Sequence, residues 1–322
     1  MKLMLEENTL NVLIESREDQ GNGVAVLRIV SRDGSGLPGF DAGAHIDVRI
    51  NQDLVRQYSL SNAPSGSAAA DHYRIGVLND PQSRGGSAAL FADFHQGKEI
   101  QISAPRNHFE VASGTGTAIL VAGGIGVTPI ISMAHELENT GCDFEIHYCL
   151  NALNTGAFVE ELKADFASQL KIHCSVDKKF DPSEAFSNRN EHAHVYVCGP
   201  SGFMDWVIEA AKERGISDQR IHFEYFNAEV DLAGDSIEVY CSDSDKTVMV
   251  GADESIANAL SNAGIRVDVS CEQGVCGTCI TDVLEGIPDH RDQFLTDEEK
   301  DDNDQMALCC SRAKSPKLVI EI

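Results

Sequence analysis

Three cysteines fall within nine residues in the stretch CEQGVCGTC (271–279), and a fourth, Cys309, follows after a gap of 29 residues. Clustered thiols can close disulfides, hold zinc, hold an iron–sulfur cluster, or simply be buried. Disulfides fit poorly, because ten cysteines occur with no export signal: Glu6 and Glu7 stand where a signal peptide needs an apolar core. Structural zinc sites use two closely spaced pairs of ligands, whereas here the fourth candidate is one distant residue. The spacing Cys271-x4-Cys276-x2-Cys279 with a distant fourth cysteine is that of a plant-type [2Fe–2S] centre. Two irons bridged by two sulfides need four thiolates converging from one side. Gly274 and Gly277 let the loop wrap closely and turn N–H groups toward sulfur. The stretch ALCCS offers both Cys309 and Cys310, and the 29-residue gap selects Cys309. Cys142, Cys149, Cys174 and Cys241 read as ordinary buried thiols.

Two further groups of residues could do chemistry. RQYSLSNAP (56–64) contains the Arg-x-Tyr-Ser pattern, and SRGGSAAL (83–90) is a glycine turn opening a helix, with Arg84 and Ser87 placed as phosphate donors. GGIGVTP (123–129) follows an apolar run and precedes a helical one, where a glycine turn and a helix N-terminus suit a pyrophosphate. It lacks the Gly-x-Gly-x-x-Gly order of a Rossmann fingerprint. VCGP (197–200) ends a later apolar run, and EYF ends at Phe226.

In their order these stretches resemble the ferredoxin–NADP reductase superfamily, and within it the family of phthalate dioxygenase reductase and vanillate demethylase reductase. The segment 238–322 resembles plant-type ferredoxins. The resemblance implies FMN rather than FAD, since the Arg84-Gly85-Gly86-Ser87 turn looks like a terminus for a monophosphate. It places Arg56 near the flavin phosphate, Tyr58 against the ring, Ser59 near its reactive nitrogen, and the backbone of Gly76, Val77 and Leu78 along it. Gly123, Gly124, Gly126 and Pro129 belong to the nucleotide turn, with Thr128 near the flavin. Cys198, Gly199 and Pro200 lie beside the nicotinamide, and Phe226 covers the flavin face until nicotinamide displaces it. Ser59, Cys198 and Phe226 then surround the reacting atoms. Many members of the family carry an arginine where this chain has Asn151, and NALNTGA (151–157) has no Arg or Lys for a 2′-phosphate, which favours NADH.

The elements that must position these residues fall into three textures. Up to about residue 110 the apolar runs are short and strand-like (LNVLIESR, VAVLRIVS, HIDVRI, RQYSLS, YRIGVL), separated by turns such as DGSGLPG, as in a small antiparallel barrel. Over 111–226 buried strands alternate with helical stretches, the mark of a parallel α/β sheet. A polar linker (227–235) leads to 236–322, read as a hairpin, a helix, the cysteine loop and a last strand, KLVIEI. The expected architecture is multidomain: a flavin-binding β-barrel over 1–110, an NAD-binding α/β domain over 111–226, and a β-grasp ferredoxin domain over 236–322.

Such a set has a chemical logic: a hydride donor gives two electrons, a [2Fe–2S] cluster takes one, and flavin converts between them. The implied function is an NADH-dependent electron-transfer reductase serving a Rieske-type terminal oxygenase. A reductase for a cytochrome P450 is an alternative within the enzyme class, and a redox-sensing protein that keeps its cluster without turnover is one outside it. The composition has 51 acidic residues against 25 Lys and Arg, a net charge of −26, which argues against nucleic acid and anionic membrane as partners. Residues 236–322 hold 18 acidic and 7 basic residues, a net of −11, with a dense run at 296–304. That acidic face could steer the protein to a positive patch on its acceptor. The longest apolar run, 118–131, is broken by glycines and Pro129 and is too short to span a bilayer, so a cytoplasmic protein is expected.

Overall fold

The computed structural model describes residues 9–21, 23–51, 54–80, 86–114, 116–176, 179–187, 193–226 and 230–322. They separate into two compact units, one built on Asn8–Ile50 and Arg56–Phe226, the other on Asn227–Ile322 with Asn51–Val55.

The first unit opens with a six-stranded sheet: β1 (Thr9–Gln20), β2 (Val24–Ser31), β3 (His45–Arg49), β4 (Val55–Ser59), β5 (Tyr73–Leu78) and β6 (Glu99–Ser103), with helix α1 (Gly86–Asp93) before β6. The order is β4-β3-β6-β1-β2-β5, and a bridge from Leu60 to Ile75 on β5 closes the sheet into a barrel. Alternation explains which way each strand faces. Val12 and Ile14, Ile46 and Val48, Ile75 and Val77, and Ile100 and Ile102 all point into one core. Strand β2 is apolar on both faces for a reason. Ala25, Leu27 and Ile29 fill the barrel, while Val24 and Val26 pack into a second core made largely by the following segment. Burying each such valine contributes roughly 1.5–3 kcal/mol. Barrel and α/β sheet therefore share a core.

That segment comprises β7 (Thr117–Gly123), α2 (Val127–Thr140), β8 (Asp143–Leu150), α3 (Val159–Asp165), β9 (Leu170–Cys174), α4 (Pro182–Ala185), β10 (Ala193–Gly199), α5 (Ser201–Glu213) and β11 (Ile221–Tyr225). The sheet is parallel, in the order β11-β10-β7-β8-β9. The chain runs outward from β7 to β9, then returns to place β10 on the other side of β7. The direction of winding thus reverses between β7 and β10, and ligands of open α/β sheets bind at such a switch point, beyond the carboxyl ends of the strands.

The second unit contains β12 (Ile237–Cys241), β13 (Lys246–Val250), α6 (Ile256–Asn262), β14 (Ile280–Glu285), β15 (Pro288–Asp289), α7 (Asp297–Asp302), β16 (Gln305–Ala307), β17 (Arg312–Ala313) and β18 (Lys317–Ile320). Its main sheet runs β13-β12-β18-β14-β16, with β12 and β18 parallel at the centre, and β15 pairs with β17 separately. Helix α6 is capped by Ser255, whose Oγ accepts from Asn258 N–H, and it buries Ile256 and Leu260 against the sheet. The expected hairpin, helix and last strand are present. Strands β14 to β17 and helix α7 were not anticipated. The start of α7 carries a capping box, in which Thr296 and Glu299 satisfy each other's backbone N–H groups. Among the described residues no helix is long and apolar enough to cross a membrane.

Candidate functional site

In the first unit the two glycine-containing motifs meet at the switch point. Strands β7 and β10 pair in parallel with Ala122 opposite Cys198. Beyond them the backbones touch. A Cβ on Gly126 would lie 2.3 Å from the Cys198 carbonyl oxygen, and one on Gly199 would lie 3.0 Å from the Gly123 Cα. Only glycine permits that approach. Gly124 adopts φ +54° with open space where a side chain would stand, directly before the N-terminus of α2. This leaves a cradle of the kind a pyrophosphate occupies. Pro200 caps α5 and touches Gly123. Pro129 sits in the first turn of α2, where a missing N–H costs nothing.

The barrel supplies the other wall. Gly76 of β5 packs on the Thr128 methyl group, and the Thr128 hydroxyl donates to the Ile125 carbonyl at 3.1 Å. Val77 is buried and Leu78 half-buried along the same strand. Tyr58 is half-buried against the barrel core, and burial pushes its phenol up. Arg56 lies across Gly86 at the start of α1, so that a Cβ there would come within 2.8 Å of Nε. Ser87 Oγ is buried with no hydrogen-bond partner among the described residues. A buried hydroxyl without a partner beside a guanidinium at a helix N-terminus fits a phosphate monoester. The predicted Arg84 and Gly85 of the same turn lie outside the described residues.

Ser59, at the end of β4, donates to Glu224 Oε2 at 3.3 Å. Glu224 lies opposite Cys198 in the β10–β11 register, and Phe226 follows just past β11, half-buried against the shared core. The Cys198 thiol is fully buried, and burial pushes it well above its ordinary range, with Glu224 adding to the effect. It is a neutral thiol, not a nucleophile. Ser59 and Cys198 are thus brought together by a residue the sequence reading did not single out. His45 of β3 was missed as well: it is buried, and its Nδ1 stands 3.6 Å from Glu224 Oε1. The available signal was a histidine on a strand whose flanking positions read as buried.

The second unit gathers the cysteine loop. Cys271, Cys276, Cys279 and Cys309 are all buried, and sulfur contacts link Cys276 to Cys271, Cys271 to Cys309, and Cys309 to Cys279. The Cys276 and Cys309 thiols, then the N–H groups of Gln273 and Val275, draw Cys271 far below the ordinary thiol range against the effect of burial. Cys276 and Cys309, as donors in those contacts, are pushed up. Glu272, Gly274 and Gly277 all have positive φ, and neither glycine has room for a side chain. A Cβ on Gly274 would lie 2.4 Å from Cys310 Sγ, and one on Gly277 would lie 2.3 Å from the Phe294 ring. Four converging sulfurs with backbone N–H donors are a donor set that fits a [2Fe–2S] cluster. Cys310 is the sulfur that packs beneath Gly274.

Residues 239–314 match the family model of the 2Fe-2S iron-sulfur cluster binding domain. Over 319 residues the chain is 46% identical to a vanillate O-demethylase oxidoreductase of Pseudomonas sp. (strain HR199 / DSM 7063), covering 97% of this chain and 100% of that one. The structure of phthalate dioxygenase reductase, described as modular for electron transfer from pyridine nucleotides to [2Fe–2S], superposes with a TM-score of 0.76 at 35% identity and full coverage of both chains. An intact type IV self-sufficient cytochrome P450 monooxygenase matches 98% of this chain with a TM-score of 0.86 at 31% identity, this chain spanning 41% of that protein. Likeness of this degree runs through barrel, α/β segment and cysteine loop alike. The chain belongs to the family of vanillate O-demethylase oxidoreductase and phthalate dioxygenase reductase, as a flavin, nicotinamide and [2Fe–2S] oxidoreductase component of an oxygenase system.

Proposed function

We propose that the chain passes electrons from NADH through FMN and a [2Fe–2S] cluster to a Rieske-type terminal oxygenase that hydroxylates or demethylates a small organic compound. The observation that carries this reading is the junction of barrel and α/β sheet, where Ser59 meets Glu224 beside Cys198 and Gly76 meets Thr128. Hydride transfer needs donor and acceptor in contact, and here the residues suited to each lie in one packed unit. When bound, the nicotinamide supplies a hydride, the flavin takes the pair and releases electrons singly, and the cluster accepts one at a time.

The chain's own part is positioning. Arg56, Gly86 and Ser87 would hold the flavin phosphate, together with Arg84 and Gly85 on the sequence pattern. Tyr58 and the backbone of 76–78 line the ring. Gly123, Gly124 and Gly126 admit the pyrophosphate to the N-terminus of α2, Cys198, Gly199 and Pro200 orient the nicotinamide, and Thr128 lies near the flavin. Phe226 covers the ring face and keeps water from it. Cys271, Cys276, Cys279 and Cys309 hold the cluster. Residues 151–157 offer no cation for a 2′-phosphate.

The match to a self-sufficient P450 favours one second reading, in which a haem protein is the acceptor. Flavin released by heating and chromatographed is expected to be FMN, and NADH is expected to give far higher kcat/KM than NADPH. Stopped-flow reduction of a purified Rieske oxygenase, run beside a P450, discriminates the acceptors. Release of FAD, or transfer to the P450 alone, would overturn the corresponding part.

A further inference from the structure

His45 is 4% exposed at the start of β3, and its ring faces a carboxylate and an amide. Its Nε2 lies 3.4 Å from Nε2 of Gln57, a neighbour on β4. An amide nitrogen can only donate, so the ring nitrogen facing it accepts, and the neutral ring carries its proton on Nδ1. That Nδ1 has no hydrogen-bond partner among the described residues and stands 3.6 Å from Glu224 Oε1. The other carboxylate oxygen, Oε2, takes the Ser59 hydroxyl at 3.3 Å. His45, Glu224 and Ser59 thus form a line from β3 through β11 to β4.

We infer that His45 is a positioning residue, whose Nδ1–H holds the Glu224 carboxylate so that Glu224 fixes the direction of the Ser59 hydroxyl. The inference rests on the proposed role of Ser59 at the reacting edge of the flavin. A largely buried carboxylate needs donors: the Ser59 hydroxyl donates to it, His45 Nδ1 stands 3.6 Å away, and His108 interacts with it electrostatically. While Ser59 donates to Glu224, its oxygen lone pairs remain able to accept. Without His45 the carboxylate is free to turn, and Ser59 loses its acceptor. The other ionisable groups around His45 are His108, whose ring centroid is 5.6 Å away, together with Cys198 opposite Glu224, the Arg106–Asp47 ion pair, and Glu110 near His108. Arg106 is engaged by Asp47 at 2.8 Å, and His108 interacts with both Glu224 and Glu110.

Two measurements on the full-length protein test this. Nitrogen–proton correlation spectra of the oxidised protein are expected to show the Nδ1–H tautomer of His45, and Glu224→Gln is expected to move the Nδ1–H resonance. An Nε2–H tautomer, or an Nδ1–H resonance indifferent to Glu224→Gln, would overturn the inference whether or not NADH reduces the flavin. The second measurement is flavin reduction by NADH in His45→Leu, His45→Gln and His45→Asn. Asparagine places its amide where Nδ1 stood, and glutamine where Nε2 stood. Reduction is expected to slow by about tenfold in the leucine and glutamine variants with NADH KM little changed, and to recover substantially in the asparagine variant. Equal losses in all three would make His45 a packing residue. Failure of NADH to reduce the wild-type flavin would instead count against the proposed function, leaving the spectra to decide on His45.

Discussion

Replacing Gly126 by alanine isolates the contact between the nucleotide turn and β10. Gly126 has φ −60° and ψ −3°, an ordinary right-handed conformation, so alanine meets no backbone strain there. By reducing the freedom of the unfolded chain it would even stabilise by about 0.4–1 kcal/mol. The added Cβ, however, would sit 2.3 Å from the Cys198 oxygen, 2.5 Å from its carbonyl carbon and 2.7 Å from the Gly199 nitrogen. All three are backbone atoms in a paired strand, and no rotamer change relieves them. The turn must move by about 1 Å to regain normal contact distance. Overpacking of this kind costs about 1–3 kcal/mol, leaving a net loss of up to about 2.6 kcal/mol. At about 2–4 °C per kcal/mol for a unit of this size, the melting temperature should fall by up to roughly 10 °C. The same shift displaces Thr128 and the start of α2, so kcat/KM for NADH should fall by about 10- to 100-fold. Gly202 is the control: it lies in α5 with nothing within 4 Å, and alanine there should leave the melting temperature unchanged or slightly raised. Thermal unfolding by circular dichroism and steady-state kinetics read both effects. A Gly126→Ala protein that melts and turns over like wild type would refute the close approach of turn and strand.

Other substitutions probe the second unit. Cys309→Ser should abolish the visible absorbance and reduced-state EPR signal of the cluster, while Cys310→Ser, altering the sulfur beneath Gly274, should retain both; the reverse pattern would shift the fourth ligand by one residue. Arg312, 1% exposed, donates to the carbonyls of Asp235 at 2.8 Å, Gly251 at 2.9 Å and Glu254, pinning the approach to β12. Arg312→Met should destabilise this unit by about 3 kcal/mol, seen as cluster bleaching at lower denaturant. Electron transfer to the oxygenase should slow as salt rises, while NADH reduction of the flavin changes much less. Reversing the exposed Glu298, Asp301 and Asp302 to Lys should flatten that dependence, and Glu299 is spared because it caps α7. An unchanged salt curve would make the acidic helix a solubility feature.

The cysteine loop was legible in the sequence because three of its four sulfurs are tied to one another by covalent spacing over nine residues, with glycines at two of its tight positions. The barrel strands were legible for a related reason: alternation records which side of each strand is buried. The same holds for the α/β sheet, whose strands and helices alternate along the chain. The capping box opening α7 was also written locally, in Thr296 and Glu299, but was passed over as charge. Tertiary structure alone decided which distant residues meet. Ser59 and Glu224 are 165 residues apart, and no local pattern marks either as the other's partner. The parallel pairing of β12 with β18, and the turn of 123–126 pressed on the Cys198 carbonyl, likewise depend on how whole elements stack. His45 illustrates the division. Its strand was plain from its neighbours Ile46 and Val48, but its role depends on a carboxylate that β11 delivers from the far end of the unit. Short-range chemistry is set by bond geometry along the chain, whereas the electrostatic environment of a buried group is set by whatever the fold packs against it.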